Sequence, residues 1–247
     1  MRPPLTALAL PLLLAALPQA SLAESLWTGT AELGLAIASG NAESETLNGK
    51  LDLKRETERW HANLRAAALR AEADDQLSAY RYALGGTLGF NVGARAYTFG
   101  ALRYERDDFA AFRHQWVGSA GLGYRLIDDE RTALVGEIGP GARRAQLVAW
   151  PSSAPAGTRA RMTETDTILR ASVEFRHALN ANTQLSNVLL SEGGSSGRFL
   201  QNDLGLSVRI SERYALRVGH QLRRNSDAEN GIVATDRLFT TNWVVGF

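Results

Sequence analysis

Leu238-Phe239-Thr240-Thr241-Asn242-Trp243-Val244-Val245-Gly246-Phe247 ends the chain and decides how the rest of it is read. In an extended conformation Phe239, Trp243, Val245 and Phe247 fall on one side, and Thr240, Asn242 and Gly246 on the other. That is the period of a strand. Soluble domains commonly end in frayed polar tails, so a chain that stops on an aromatic after alternating bulky residues is expected to end in a lipid-facing strand. The alternative is an edge strand of a soluble sandwich, and the preceding sequence discriminates between them.

Working back from this stretch, eleven more alternating segments of about ten residues can be placed, separated by turn chemistry. They are Trp27–Ala38, Ser44–Arg55, Trp60–Ala71, Ala79–Phe90, Arg95–Arg106, Arg113–Leu126, Arg131–Arg143, Thr165–Ala178, Thr183–Ser191, Phe199–Ile210 and Tyr214–Arg223. The alternation is cleanest where Thr167, Leu169, Ala171, Val173 and Phe175 oppose Arg170, Ser172, Glu174 and Arg176. It falters near Leu102, where a bulge is expected. Pro140 is awkward inside a strand because it lacks a ladder donor. In Thr183–Ser191 either register could face lipid, and His220 falls on the apolar register, which suggests a place near a rim or at a bulge. Links after even-numbered segments are short. Those after odd-numbered ones are longer, with 144–164 the longest and 39–43 a short exception. Short turns at one end and long loops at the other suit a closed antiparallel barrel with both termini in the periplasm.

The expected class is therefore all-β: a twelve-stranded, closed antiparallel transmembrane barrel of the outer-membrane type. Lipid offers no hydrogen bonds, so every strand edge must find a partner. Trp27, Trp60, Tyr80, Phe90, Tyr97, Tyr124, Tyr214 and Trp243 lie near segment ends and are expected in the interfacial girdles. Residues 1–23 read as a cleaved signal peptide, with Arg2, an apolar run from Leu5 to Leu17 and small residues at Ser21 and Ala23. The barrel occupies 24–247. Without Cys there is no disulfide and no thiolate metal site. Removing the leader takes one of 27 basic residues and none of 26 acidic ones, so the mature chain is formally neutral. That balance gives no reason to expect nucleic acid as a partner.

Several phrases carry a family resemblance: Ser39-Gly40-Asn41, Glu56-Thr57-Glu58-Arg59-Trp60, Tyr104-Glu105-Arg106-Asp107-Asp108-Phe109, Gly123-Tyr124-Arg125-Leu126-Ile127-Asp128 with Glu130-Arg131-Thr132, and Gly139-Pro140-Gly141. With the terminal Phe247 they resemble the DUF481 family, typified by proteins labelled salt-induced outer-membrane proteins. The resemblance implies an outer-membrane barrel of no established activity.

The register sends Lys50, Lys54, Arg65, Arg81, Arg125, Arg143, Arg170, Arg176, Arg209, Arg217 and Arg223 inward, against Glu32, Asp52, Glu137, Glu174 and Asp203. Eleven cations facing five carboxylates suggest a narrow pore that favours anions. The alternative is a non-conducting barrel with a filled, mutually paired lumen, since twelve strands lie between filled eight-stranded barrels and wide porins. A barrel lipid hydrolase is a third possibility. Gly193-Gly194-Ser195-Ser196-Gly197 fits the letters of a nucleophile elbow, but in a flexible Gly/Ser connection. His61, His114, His177 and His220 show no metal-ligand spacing. No cofactor and no catalytic or metal residue is assigned, and the protein is not expected to be an enzyme. Loop carboxylates Asp74, Asp75, Asp107, Asp108, Asp227, Glu229 and Asp236 read chiefly as solvated charge. Expected partners are outer-membrane lipids, lipopolysaccharide, and the barrel-assembly machinery acting through the strand ending in Phe247. A monomer is expected.

Overall fold

A computed structural model describes residues 27–38, 44–110, 112–148, 161–195, 197–226 and 234–247. The leader 1–23, the loop 39–43, most of the 144–164 connection, and Asp227 and Glu229 lie outside the described residues. Twelve strands follow one another: β1 Thr28–Ala38, β2 Ser44–Glu56, β3 Trp60–Ala73, β4 Gln76–Asn91, β5 Ala96–Asp107, β6 Phe112–Asp128, β7 Thr132–Val148, β8 Arg161–Ala178, β9 Thr183–Gly194, β10 Gly197–Arg209, β11 Tyr214–Asn225 and β12 Thr235–Gly246. Each pairs antiparallel with its sequence neighbour, and β1 pairs with β12, so the sheet is a closed barrel.

Outward positions carry a predominantly apolar coat. Leu33, Leu51, Leu64, Leu84, Leu102, Leu122, Ile138, Leu169, Val173, Leu206 and Val218 are all exposed. A water-soluble monomer does not leave so much contiguous apolar surface open. In a bilayer the same coat is what lipid requires, and closure satisfies the backbone that lipid cannot.

Four expectations need correction. β5 holds its register with β4 and β6 through Leu102, without a bulge. The pattern looked broken because Tyr97 and Phe99, 3% and 4% exposed, point inward. Tyr97 therefore leaves the girdle set and belongs to the lumen, whereas Trp60, Tyr80, Phe90, Tyr124, Tyr214 and Trp243 do face outward. His220 sits mid-strand opposite Leu204 and Phe239 with no register shift, its ring 4.3 Å from that of Phe239 and tilted at 33° to it, so it is neither at a rim nor at a bulge. The shifts fall instead at Ala71/Glu72 and at the two ends of β6. Finally, the connections after β3, β5 and β9 are short, of two, four and two residues. Asp74 and Asp75 make the β3–β4 turn with φ of 49° and 60°, a left-handed pair that Asp tolerates and that lets both strands extend to the turn. In β9 the open choice of register resolves with Leu185 and Leu189 on the outward face and Val188 and Glu192 inside.

Pro140 is accommodated by its neighbours. The β6–β7 ladder runs through Ser119/Gly141 and Leu122/Ile138, and the residue pairs between them are missing. There the backbones come together: a Cβ on Gly121 would stand 2.2 Å from the Ile138 carbonyl oxygen, and one on Gly139 2.1 Å from that of Ala120. The residue without a donor therefore occupies the stretch where the ladder is already interrupted.

Closure is made at β1 and β12, by five registered pairs from Thr30/Gly246 to Gly34/Asn242. Every other seam has between eleven and seventeen. Gly29 and Phe247 add two backbone hydrogen bonds, Gly29 N to Phe247 O at 2.7 Å and Phe247 N to Gly29 O at 3.0 Å. A Cβ on Gly29 would collide with the Phe247 ring, so the terminal aromatic takes the space that Gly29 leaves on the outer face.

Candidate functional site: the lumen

Alternation brings the polar side of every strand into one interior, where the charges meet at two levels. Towards the end with the short turns, Lys54 on β2 lies 3.5 Å from Glu174 on β8, and Arg65 on β3 lies 3.1 Å from the same carboxylate and 2.9 Å from Asp52. Arg176 flanks Glu174 at 3.7 Å. Lys50 reaches Asp203 at 3.6 Å, and Arg217 reaches Glu32 at 3.7 Å. Arg209, at the rim, donates to the Ala181 carbonyl at 2.9 Å. These side chains are wet: Lys54 is 39% and Arg65 46% exposed, so this level is a vestibule.

Towards the loop end the interior is tight. Glu105 on β5 takes hydrogen bonds from Arg223 on β11, Arg103 on its own strand and Gln115 on β6. Arg103 also reaches Glu192 on β9, while Arg223 and Arg81 approach Asp107 at 3.6 and 3.9 Å. Arg81 further donates to Gln221 at 2.8 Å. The Phe199 ring lies beneath two guanidiniums, Arg103 at 5.3 Å and Arg223 at 5.1 Å. Phe112, Val117 and Ile168 are buried in the same half. Glu105 and Glu192 are 3% and 2% exposed, so water scarcely enters.

The wall between these levels is braced from β5 to β8. Glu137 accepts from Tyr97 Oη at 2.9 Å, Arg170 at 2.8 Å and Ser172 Oγ at 3.1 Å. Arg170 lies over Phe99 and Arg125 over Tyr97, at 5.1 and 5.3 Å. Arg125 also approaches Glu56 at 3.7 Å. Arg143 and Asp166 pair at 3.4 Å under the loop end. At the closing seam Asn48 donates to Asn242 and Asn242 to Glu32, at 3.1 and 2.9 Å.

The inward cations were all visible in the sequence except one, but four of their carboxylate partners were not. The lumen also holds Arg103, together with Glu105, Asp107, Asp166 and Glu192. With these the expected excess of six positive side chains falls to three, and Glu56, Glu164 and Asp236, which share the inward register, remove the rest. In the tight level Arg81, Arg103 and Arg223 balance Glu105, Asp107 and Glu192. The missed residues come mainly from β5, whose inward aromatics hid its register; its phase relative to β4 and β6 was the signal that could have found them.

Ser195 Oγ donates to Asp166 at 2.7 Å, while His61, His114, His177 and His220 make their contacts with Tyr97, Tyr104, Thr132 and Phe239. Among the described residues no group of three metal-ligating side chains is placed to hold an ion.

A closed ring, apolar outside and ionic inside, defines an outer-membrane β-barrel of porin-like build. The chain belongs to the DUF481 family of proteins of unknown function, whose model matches residues 31–247. It is 25% identical over 224 residues to the uncharacterized protein YdiY of Escherichia coli (strain K12), covering 88% of this chain and 82% of that one. Among solved structures it is similar to the translocator domain of the autotransporter NalP from Neisseria meningitidis, at 12% identity and a TM-score of 0.48, over 90% of this chain and 86% of that one. It is also similar to an outer-membrane channel from Pseudomonas putida F1, at 14% identity and a TM-score of 0.46, over 90% and 95%.

Proposed function

We propose that this protein is exported to the outer membrane and forms a narrow, weakly selective channel, held nearly shut at rest by ion pairs that cross its lumen. The observation that carries this reading is that pairs join opposite walls at both levels: Lys54 and Arg65 to Glu174, and Arg223 to Glu105. A wide porin keeps its charged rows apart with water between them; here the rows touch. The wet vestibule faces the periplasm and the dry level faces outward, following the usual placement of short turns. Because the dry level is balanced in charge, it supplies little selectivity of its own, and the anion preference comes from the vestibule.

Planar-bilayer recording tests this. Wild type should give rare, small, discrete steps, and Glu105→Gln combined with Arg223→Gln, which removes one partner from each side, should raise the step size and open time. If wild type and the double variant are both silent over many insertions, the channel is excluded and a structural barrel with a filled lumen replaces it.

A further inference from the structure

The outward surface of β3–β7 at the loop end is unlike the rest of the coat. Three rows of side chains cross it. The uppermost aligns Arg70 with Tyr80, beside Asp108. The next aligns Tyr82, Arg106 and His114, and the third Tyr104, Trp116 and Arg144. Arginine at membrane depth normally snorkels past the aromatic belt towards water. Arg106 is instead set within the belt, with Tyr82 and His114 on either side.

The cluster is organised. Asp108 receives Arg106 through two hydrogen bonds, at 3.0 and 3.2 Å, and Arg113 at 3.4 Å, so one carboxylate fixes two guanidiniums and leaves a net positive unit. The same hydrogen bonds hold the Asp108 carboxyl below the usual carboxylate range, so the unit keeps its form at neutral pH. Tyr104 Oη meets His114 Nδ1 at 2.8 Å, and the Tyr104 and Trp116 rings lie 4.7 Å apart and tilted at 48° to one another, a bent aromatic platform beside the cations. Arg144, exposed at the edge of that platform, has no ion-pair partner among the described residues. Below the platform Leu102 lies beside Gly118 and Gly100, whose missing side chains leave a shallow trough on the lipid face; a Cβ on Gly100 would meet nothing within 4 Å, and one on Gly118 only Leu102 Cδ1 at 3.9 Å.

We propose that this surface binds a phosphorylated glycolipid of the outer leaflet. Arg106, Arg113 and Arg144 take a phosphate, the Tyr104–Trp116 platform takes a sugar ring, and the trough takes acyl chain. Guanidinium pairs phosphate oxygens in bidentate fashion, and aromatic faces stack on the apolar face of a sugar. The opposite wall serves as a control. Arg224 and Arg237 also point outward at the loop end, but beside Leu200 and Leu222 rather than aromatic rings.

Native mass spectrometry of the full-length protein, released from detergent after exposure to defined lipids, reads the site directly. Wild type should retain bis-phosphorylated lipid A and lose it about tenfold or more in Arg106→Gln/Arg113→Gln/Arg144→Gln. Arg224→Gln/Arg237→Gln should retain it. Should the triple variant fail to fold, the exposed Arg144→Gln alone should still weaken retention several-fold. Equal retention of dephosphorylated lipid A would overturn the proposal, as would equal retention of phosphatidylglycerol, because the phosphate would then need no sugar. Equal loss in the Arg224/Arg237 variant would reduce the cluster to ordinary surface charge.

Discussion

Lys54 Nζ lies 3.5 Å from Glu174 Oε1, joining β2 to β8, which stand six strands apart in a ring of twelve and so face one another across the lumen. Three cations, Lys54, Arg65 and Arg176, share that one carboxylate. Glu174→Gln therefore raises the positive charge of the vestibule by one, and the zero-current potential across a KCl gradient should move towards anion selectivity. Lys54→Gln should move it the other way. Both shifts should fade as salt rises and screening shortens from about 10 Å at 0.1 M to about 3 Å at 1 M. Open channels whose potential ignores both substitutions would remove the vestibule from selectivity.

In the dry level the same kind of substitution is a matter of stability. Glu105 is the acceptor on which Arg103, Arg223 and Gln115 converge. Taking one partner from a buried ionic network leaves the others charged and unpaired, which costs about 3–5 kcal/mol. Glu105→Gln should lower the free energy of unfolding, read from urea titration in micelles, by that amount, whereas Asp52→Asn, beside the exposed Arg65, should cost about 1 kcal/mol or less. Equal losses from the two would mean that the loop-end interior is as wet as the vestibule.

The Gly121–Gly139 contact makes a steeper prediction. A methyl group on either glycine would lie little more than 2 Å from a backbone carbonyl oxygen of the facing strand, and backbone cannot rotate away as a side chain can. Gly121→Ala and Gly139→Ala should each sharply reduce the fraction that migrates as folded, heat-modifiable protein. Gly100→Ala, with open space around it, should migrate as wild type does. The contrast separates close approach from the general cost of glycine replacement.

Strand count, the closing strand and most of the inward faces of β2, β8, β10 and β11 were legible because their apolar and polar positions alternate over most of their length. β5 was not, because Tyr97 and Phe99 are apolar residues facing a polar lumen, where one donates to Glu137 and the other lies under Arg170. A period-two pattern reports which side is apolar, and here the inner side is partly apolar too. Pairing across the lumen was equally hidden. Lys54 and Glu174 are 120 residues apart in the chain, and only ring closure brings them together. The family phrases traced where backbones are constrained, as Gly139-Pro140-Gly141 shows, and contained Glu105 and Asp107 without revealing that they point inward.

The closing seam is where the barrel should yield first. Beyond Gly34 and Asn242 neither β1 nor β12 has a registered partner across the seam among the described residues, so side chains carry more of the closure there than elsewhere. A Cβ on Gly34 would stand 2.2 Å from Asn242 Oδ1 and 2.3 Å from Asn48 Oδ1, so the missing side chain of Gly34 is what lets the two amides meet over β1. Asn242→Leu removes the acceptor of Asn48 and a donor to Glu32, both buried away from bulk water, at a cost of about 1–3 kcal/mol. Asn48→Leu removes the same amide contact from the other side. Because the two share one hydrogen bond, the double variant should lose less than the sum of the singles, with a coupling of at least about 0.5 kcal/mol. Strict additivity in urea unfolding would show that the amides touch without holding the seam, and closure would then rest on the Thr30–Gly34 ladder and the Phe247 ring alone.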